Sequence, residues 1–414
     1  MQKKHVCLVN PRDTVVEDPA WDEPLGLLYL GAVLEHAGLE VEVVDLNFHK
    51  HFELLKRSTA NVFGLYCSSS LLESCLRVNE FLKCTHPEAL RIVGGPHATC
   101  MPHELTQYFD KVVVGEGEKA IIKILKEKWI GKLVHCPPIE DLDTIPFPAR
   151  NLIPIRRYHR RVGGQTSTGI ITARGCSFNC AFCSKVWDKK VRFRTAENVL
   201  GEVKECIDKY GIRAFSVRDD TFTLNRKRLF EILRGFKELG VVWRCLTRTD
   251  QVDEDVLKRM KEGGCTQIVY GIESGNQQIL NNLGKGTTVE QNAKAIRLTK
   301  KAGIHVKAAV IVGSPGETWQ TARDTVKFIE NNLPDEAIVC IFTPYPGSPL
   351  WSTPEKFKMK ILTRDLSKYA AVGPGMKGTV VIETEKMTRK DIDEAHSMVL
   401  ERFKQLGLIG MGET

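Results

Sequence analysis

Along the first third of the chain, apolar residues follow two alternating periods. Residues 4–10, Leu39 to Leu46, Asn61 to Cys67, Leu90 to Val93 and Lys111 to Val114 are short, apolar and rich in β-branched types, which predicts five strands. Between them, Leu25 to Gly38, Leu71 to Lys83 and Glu118 to Trp129 carry apolar residues at helical spacing. Alternating strands and helices imply a parallel sheet covered on both faces, so 1–130 is expected to be a doubly wound α/β domain. The alternation returns at the strand Gly169 to Thr172 and runs through strands at Ala214–Arg218, Val241–Thr247, Gln267–Gly271, Val306–Val312 and Ala337–Phe342, with helices between. Six such units over 166–350 predict a partial (β/α)6 barrel, open on one side. The stretch 131–165 has little period and is punctuated by Pro137, Pro138, Pro146 and Pro148, as a stiffened linker would be. From 351 to 414 the chain is charged. One clear helix, Arg389 to Leu406, follows a loop marked by Gly373, Gly375 and Gly378, which suggests a small, mostly helical extension capping the barrel.

Composition changes this picture little. The net charge of +8 and the pI of about 8.8 come from scattered residues, and no basic ridge interleaved with aromatics argues for nucleic acid. No apolar run is long enough for a membrane span, and Met1 leads almost directly into a strand without a signal-peptide core. A cytoplasmic, monomeric enzyme is expected. The 13 cysteines form no secreted framework; most lie in apolar patterns and read as buried thiols, which fits a reducing, anaerobic cytosol.

Three cysteines are different. Cys176, Cys180 and Cys183 follow the Gly169–Thr172 strand at C-x3-C-x2-C spacing, on the loop at its C-terminal end, where barrels build their chemistry. Three thiolates do not close a structural zinc site, which takes four ligands. An iron–sulfur cluster with one iron left open fits better. With Phe182 just before the last cysteine, the motif resembles that of the radical S-adenosylmethionine (SAM) superfamily. The resemblance implies a [4Fe–4S] cluster whose open iron chelates SAM, with Phe182 near the adenine. It also implies roles at the later strand ends: Asp219 and Asp220 for the SAM ammonium group, Arg248 for its carboxylate (with Asp250 a rival partner), Glu273 and Ser274 for the ribose and SAM, and Ile311 beside the adenine. Glu317 reads as a structural residue at a helix start. Tyr345, in Thr343-Pro344-Tyr345-Pro346-Gly347-Ser348-Pro349, is the candidate catalytic residue facing substrate or corrin.

At the N-terminal sheet, which the five strands make flavodoxin/Rossmann-like, the loops at the strand ends are Ser68-Ser69-Ser70, Gly94-Gly95-Pro96-His97 and Gly115-Glu116-Gly117. Glycines let a backbone approach a ligand closely, and hydroxyls supply hydrogen bonds. Together with Pro24 to Leu30 these stretches resemble the cobalamin (B12)-binding domain that precedes many radical SAM domains. The resemblance implies cobalamin contacts from Ser68, Ser69, Ser70, Leu71, Gly94, Gly95, His97, Gly115, Glu116 and Gly117. The D-x-H-x-x-G motif that supplies a histidine to cobalt is absent, since Asp45 is followed by Asn47 and His49, so no histidine lower ligand is assigned.

The whole resembles the class B, cobalamin-dependent radical SAM methyltransferases. That implies a C-methyltransferase in which a 5′-deoxyadenosyl radical takes hydrogen from an unactivated carbon, methylcobalamin supplies the methyl group and a second SAM restores it. A low-potential donor, flavodoxin or ferredoxin, would reduce the cluster. The compact extension leaves the barrel mouth uncovered, which favours a peptide or protein residue over a small molecule; residues of methyl-coenzyme M reductase are one candidate class. Two alternatives stand beside this: a non-methylating outcome such as cyclisation or oxidation, and a cobalamin-binding sensor or scaffold with a structural cluster.

Overall fold

The computed structural model describes residues 4–14, 16–49, 52–127, 129–184, 186–187, 189–369 and 378–409. They divide into two compact units, one of Met1–His159 with Ser184–Asp188 and the other holding the rest.

The first unit begins with β1 (His5–Asn10), α1 (Leu25–His36), β2 (Glu40–Asp45), α2 (Glu53–Arg57), β3 (Val62–Tyr66), α3 (Leu72–Thr85) and β4 (Leu90–Gly94). Next come α4 (Pro96–Cys100), α5 (Pro102–Leu105), β5 (Lys111–Val114), α6 (Gly117–Lys126) and β6 (Leu133–His135). All neighbouring strands are parallel, in the order β2-β1-β3-β4-β5-β6. Alternation along β1 divides the core. Val6 and Leu8 join Leu27, Leu34, Ala120, Ile121 and Ile124 on the α1/α6 face, while Cys7 and Val9 join Cys75, Val78 and Leu82 on the α3 face. Shifting β1 by one residue would exchange these two sets, which fixes its register.

The sequence pattern missed β6. It is three residues long, too short to show a period, and falls in the stretch expected to be a linker. That stretch is not loose. Ala149 N–H donates to Leu28 O at 3.0 Å, His159 N–H to Ala20 O at 3.1 Å, and the buried Tyr158 hydroxyl to Asp45 at 2.7 Å. Asp45 also accepts from Asn10 Nδ2 and Asn47 N–H, so it serves as a structural hub at the end of β2.

The second unit opens with the hairpin β7 (Arg161–Val162) and β8 (Gln165–Ile170). The small pair β9 (Ala173–Arg174) and β10 (Arg192–Phe193) follows, then α7 (Ala196–Tyr210) and β11 (Ala214–Val217). After these come α8 (Arg226–Leu239), β12 (Val242–Thr247), α9 (Glu254–Glu262), β13 (Cys265–Glu273), α10 (Gln277–Asn282), α11 (Val289–Lys301), β14 (His305–Val312), α12 (Trp319–Asn332) and β15 (Glu336–Ile341). Its sheet runs β15-β14-β13-β12-β11-β8-β7, parallel except for β7, and has two edges, as an unclosed barrel must. The helices start on caps that the sequence supplies: Thr195, Asn225, Asp253, Thr288 and Thr318 each accept a backbone N–H of the first turn. Glycines in the left-handed region at Gly211 and Gly240 end α7 and α8.

The chain closes with α13 (Pro349–Ser352), the antiparallel pair β16 (Met359–Ile361) and β17 (Ile382–Thr384), and α14 (Arg389–Gln405). The expected loop glycines Gly373 and Gly375 lie outside the described residues. Helix α14 does not act as a separate cap. Its buried side Ile392, Ala395, Val399 and Phe403 packs on α12 and β15, with His396 Nε2 3.3 Å from Val339 O. It is the helix of the sixth β/α unit, separated from its strand by residues 342–388. Among the described residues no helix is long and apolar enough to cross a membrane.

Candidate functional site

The strand before the cysteines is β8, and it starts earlier and ends earlier than expected. Beyond Ile170 the backbone leaves the sheet because other groups take its polar atoms. Asp219, just past β11, accepts from Thr172 N–H at 2.6 Å, Thr172 Oγ1 at 2.5 Å and Ala173 N–H at 3.0 Å. Arg194 donates to Ile171 O at 2.8 Å and pairs with the buried Glu202 at 2.5 Å. Arg228 donates to Thr172 O at 2.7 Å. Two buried guanidinium groups and one buried carboxylate therefore hold the three residues that launch the cysteine loop. Burial raises the Asp219 pKa against these donors. Asp219 anchors the loop in this structure, with both its oxygens turned inward. Asp220 beside it is exposed.

Further contacts clamp the loop itself. Ala181 N–H donates to Leu283 O at 2.9 Å, and Leu350 N–H to Ala181 O at 3.3 Å. Gly284, at φ 62°, lies so close that a Cβ there would sit 3.2 Å from Asn179 O. The loop is therefore held from the segments that follow β11, β13 and β15. Cys180 is buried, Cys176 half-buried and Cys183 exposed.

Two cations sit on the thiols. Arg248 Nη1 is 3.9 Å from Cys180 Sγ, and its guanidinium lies 3.6 Å from the centre of the Phe178 ring. Asp250, the rival partner, holds Arg248 in a two-pronged pair at 2.9 and 2.7 Å. On the other side the buried Lys285 pairs with the buried Glu273 at 2.7 Å and lies 6.0 Å from the Phe182 ring centre. A hydrogen bond from Cys183, helped by Lys285 and Arg248 and opposed by burial, brings the Cys180 pKa down to about 6; Cys183, which shares that proton, moves up. The setting favours thiolate at Cys180, the form that binds iron.

Lys285 is the residue that sequence reasoning missed. The available signal was Gly284-Lys285-Gly286, a lysine between two glycines that both adopt positive φ. Glu273 also has a positive φ, 61°, where a side chain is strained, and the strand register shifts between Gly271 and Glu273. Its carboxylate folds back so closely that a Cβ on Gly271 would sit 2.2 Å from Glu273 Oε1. Only glycine fits there.

The remaining predicted residues of this unit divide. Ile311 is half-buried on β14, in register with Cys340. Ser274 is fully buried, 3.1 Å from Thr325 Oγ1, and accepts Asn276 N–H. The Tyr345 hydroxyl donates to Tyr369 O at 3.2 Å and the two rings meet edge to face. Glu317 is buried, and one of its oxygens accepts from Gly313 and Ser314 N–H.

In the first unit the three predicted loops are tied to one another. Ser69 Oγ meets His97 Nδ1 at 3.1 Å, Gly115 N–H donates to Thr99 Oγ1 at 3.1 Å, and Ile139 N–H donates to Glu116 at 2.6 Å. Ser68 and Ser70 share a hydrogen bond at 3.2 Å. His97, Glu116 and Leu71 are buried, and His97 and Glu116 tie the loops together. Cys67 is also buried, its thiol turned toward Cys75 and Ser68 O. Ser68, Ser69, Ser70, Gly94, Gly95, Gly115 and Gly117 remain partly accessible. At Gly115, φ 84°, nothing lies within 4 Å of where a Cβ would be. Backbone thus borders open space there, as a close-approaching ligand needs.

The family model described as "Radical SAM superfamily" matches residues 170–329, and that described as "B12 binding domain" matches 22–125. The chain belongs to the cobalamin-dependent radical SAM methyltransferase family, whose cofactors are a [4Fe–4S] cluster, SAM and cobalamin. It is 34% identical over 387 residues to an uncharacterized methyltransferase of Pyrococcus horikoshii, spanning 86% of this chain and 83% of the relative. It is 29% identical to the anaerobic magnesium-protoporphyrin IX monomethyl ester cyclase of Cereibacter sphaeroides, over 87% of this chain and 63% of that one. Its fold matches the radical S-adenosylmethionine methyltransferase TsrM of Kitasatospora setae, solved with cobalamin and a [4Fe–4S] cluster, with a TM-score of 0.72 at 20% identity over 88% of this chain and 78% of that one.

The residues present fit these groups. Among the described residues no three His, Cys, Asp or Glu side chains converge tightly enough for a single metal ion. A cubane spreads its thiolates more widely than one ion does, and the cation-flanked cysteine loop suits it.

Proposed function

We propose that this protein transfers a methyl group to an unactivated carbon, and that the acceptor is a residue of a peptide or protein. The observation that carries the reading is the pair of buried cations, Arg248 and Lys285, trained on the cysteine loop of a chain that also has a corrinoid-binding domain. A structural cluster in a sensor or scaffold has no need of such a charged, strained surround. Bound, the cofactors supply radical generation and the methyl group; the protein supplies placement and exclusion of water.

Cys176, Cys180 and Cys183 would hold the cluster. Arg194, Arg228 and Asp219 fix where their loop begins, and Leu283 and Leu350 fix its far side. Lys285 and Arg248 offset the negative charge of the thiolates. Lys285 also holds Glu273, whose folded-back carboxylate is a candidate acceptor for sugar hydroxyls. Asp220, exposed at the end of β11, is the carboxylate left for an ammonium group. The peptide reading is supported by the two-edged barrel sheet and by Leu246, which is 42% exposed on β12.

The test is anaerobic incubation with SAM, a low-potential reductant and peptide fractions of the host proteome. Methylation predicts 5′-deoxyadenosine, S-adenosylhomocysteine and a peptide heavier by one methyl group. The similarity to a cyclase favours one second reading, a non-methylating outcome. Deoxyadenosine without S-adenosylhomocysteine would select it.

A further inference from the structure

His97 is completely enclosed, and each of its ring nitrogens faces a different loop. Nδ1 is 3.1 Å from Ser69 Oγ in the turn after β3, and Nε2, which makes no hydrogen bond in this geometry, has as its nearby charge a carboxylate oxygen of Glu104 on α5 at 3.4 Å. The Glu104 side chain is 39% exposed and Ser69 is half-buried. Three polar groups therefore run in series from solvent, through the interior of the domain, to the loop edge at the strand ends.

The backbone is shaped to make this contact. Gly95 has φ 108°, and a Cβ there would lie 2.8 Å from Cys67 O. His97 N–H donates to that same carbonyl at 3.0 Å, and Cys67 N–H donates to Gly94 O at 2.8 Å. The Gly-Gly-Pro-His turn is thereby stapled to the end of β3, and the imidazole is pressed under Ser69.

Chemistry gives the series a direction. A carboxylate only accepts, so Glu104 draws the imidazole proton to Nε2. Nδ1 then has a lone pair and no proton, and the Ser69 hydroxyl donates to it. What Ser69 has left is acceptor capacity. Burial favours the neutral ring that this arrangement needs.

We propose that Glu104, His97 and Ser69 form a relay that fixes the Ser69 hydroxyl as an oriented hydrogen-bond acceptor for the corrinoid held on these loops, with His97 a positioning residue and not a cobalt ligand. The proposal rests on the reading of this domain as corrinoid-binding.

The experiment uses the full chain in two arms. In the first, nitrogen-15 NMR of the imidazole rings, with H97Q to assign the signal, reads the His97 tautomer without any cofactor. The relay requires protonated Nε2 in the wild type and a shift toward protonated Nδ1 in E104Q; protonated Nδ1 in the wild type overturns it. In the second, hydroxocobalamin is titrated into wild type, S69A, H97L and the double variant. Loss of one neutral hydrogen bond predicts weakening of about fivefold in each single variant. The double variant should be no weaker than either, because the two residues act as one. Multiplying effects, or no effect in S69A, overturn the relay. So does a nitrogen splitting in the cob(II)alamin electron paramagnetic resonance signal that H97L removes. A wild-type chain that takes up no hydroxocobalamin overturns the corrinoid reading itself, which separates that failure from failure of the relay. Should H97L not fold, the E104Q tautomer and the S69A titration still decide.

Discussion

The two sheets of this chain present their loops in opposite chemical styles. Around the cysteines, the strand ends of the second unit carry full charges buried in pairs: Arg194 with Glu202, Lys285 with Glu273, Arg248 with Asp250. At the strand ends of the first unit, the ties between loops are hydroxyls, backbone N–H groups and an imidazole, with the carboxylates of Glu116 and Glu104 set against a backbone N–H and that imidazole. Coulomb energy explains the contrast. Unit charges about 4 Å apart interact by about 4 kcal/mol at an effective dielectric of 20, so a group built on thiolates needs cations nearby. A large ring bound through its face needs close backbone and light hydrogen bonding instead. The loop chemistry thus reports the charge of what each loop holds.

The most severe break in this contrast is Cys180→Ala. It should abolish cluster assembly and deoxyadenosine formation while leaving corrinoid uptake unchanged, as measured by iron content and by the corrinoid absorption band in one preparation. Loss of both together would deny the independence of the two loop systems.

Next is Lys285→Met. It strands Glu273 as a buried, unpaired carboxylate, at a cost of about 3 to 5 kcal/mol. The urea midpoint should fall, and the midpoint potential of the reconstituted cluster should move negative as a cation is lost. Lys285→Arg should recover the potential more fully than the stability. An unchanged potential in Lys285→Met would mean the lysine serves Glu273 alone.

On the neutral side, Gly95→Ala places a methyl group against Cys67 O at a positive φ, and should cost about 2 kcal/mol. Chemical denaturation reads that cost, and corrinoid affinity should fall while iron content holds.

The effect that touches neither loop system concerns Glu317, whose pKa burial raises from 4.5 to about 7. The folded chain binds this proton more tightly than the unfolded chain does. Its contribution is therefore fully present below about pH 4.5 and lost as pH rises through 7, on the order of 3 kcal/mol in all. Glu317→Gln should flatten the fall in stability between those pH values without touching either cofactor.

Much of this was legible in the residues. Spacing alone located the cysteine loop, because three thiols within eight residues past a strand have no packing logic. The order of strands and helices gave both units, since apolar periods survive without tertiary context. What did not transfer was side-chain direction. Asp219 and Ser274 stand at the ends of β11 and β13, where ligand contacts are expected, yet both turn inward to satisfy backbone or hydroxyl partners. His97 and Glu116 do the same in the first unit. Position along a strand is periodic and readable, whereas the rotamer that chooses between ligand and loop depends on neighbours distant in sequence. Lys285 stayed hidden because its one mark in the sequence, a glycine on either side, does not say that the lysine is buried; its buried partner Glu273 does. Strand β6 was too short to show a period, and α14 was read as a cap because its strand lies a whole insertion away.

That insertion leaves the barrel's last strand and last helix locked together whatever lies between them. Since loop-closure entropy grows only with the logarithm of length, the exposed stretches of this insertion can lengthen or shorten at little thermodynamic expense, whereas Leu350, which holds the cysteine loop, and the buried Tyr369 and Ile382 have to stay. Evolution, or an engineer, could graft a new recognition cassette into those exposed stretches and keep the anchor of the cysteine loop in place.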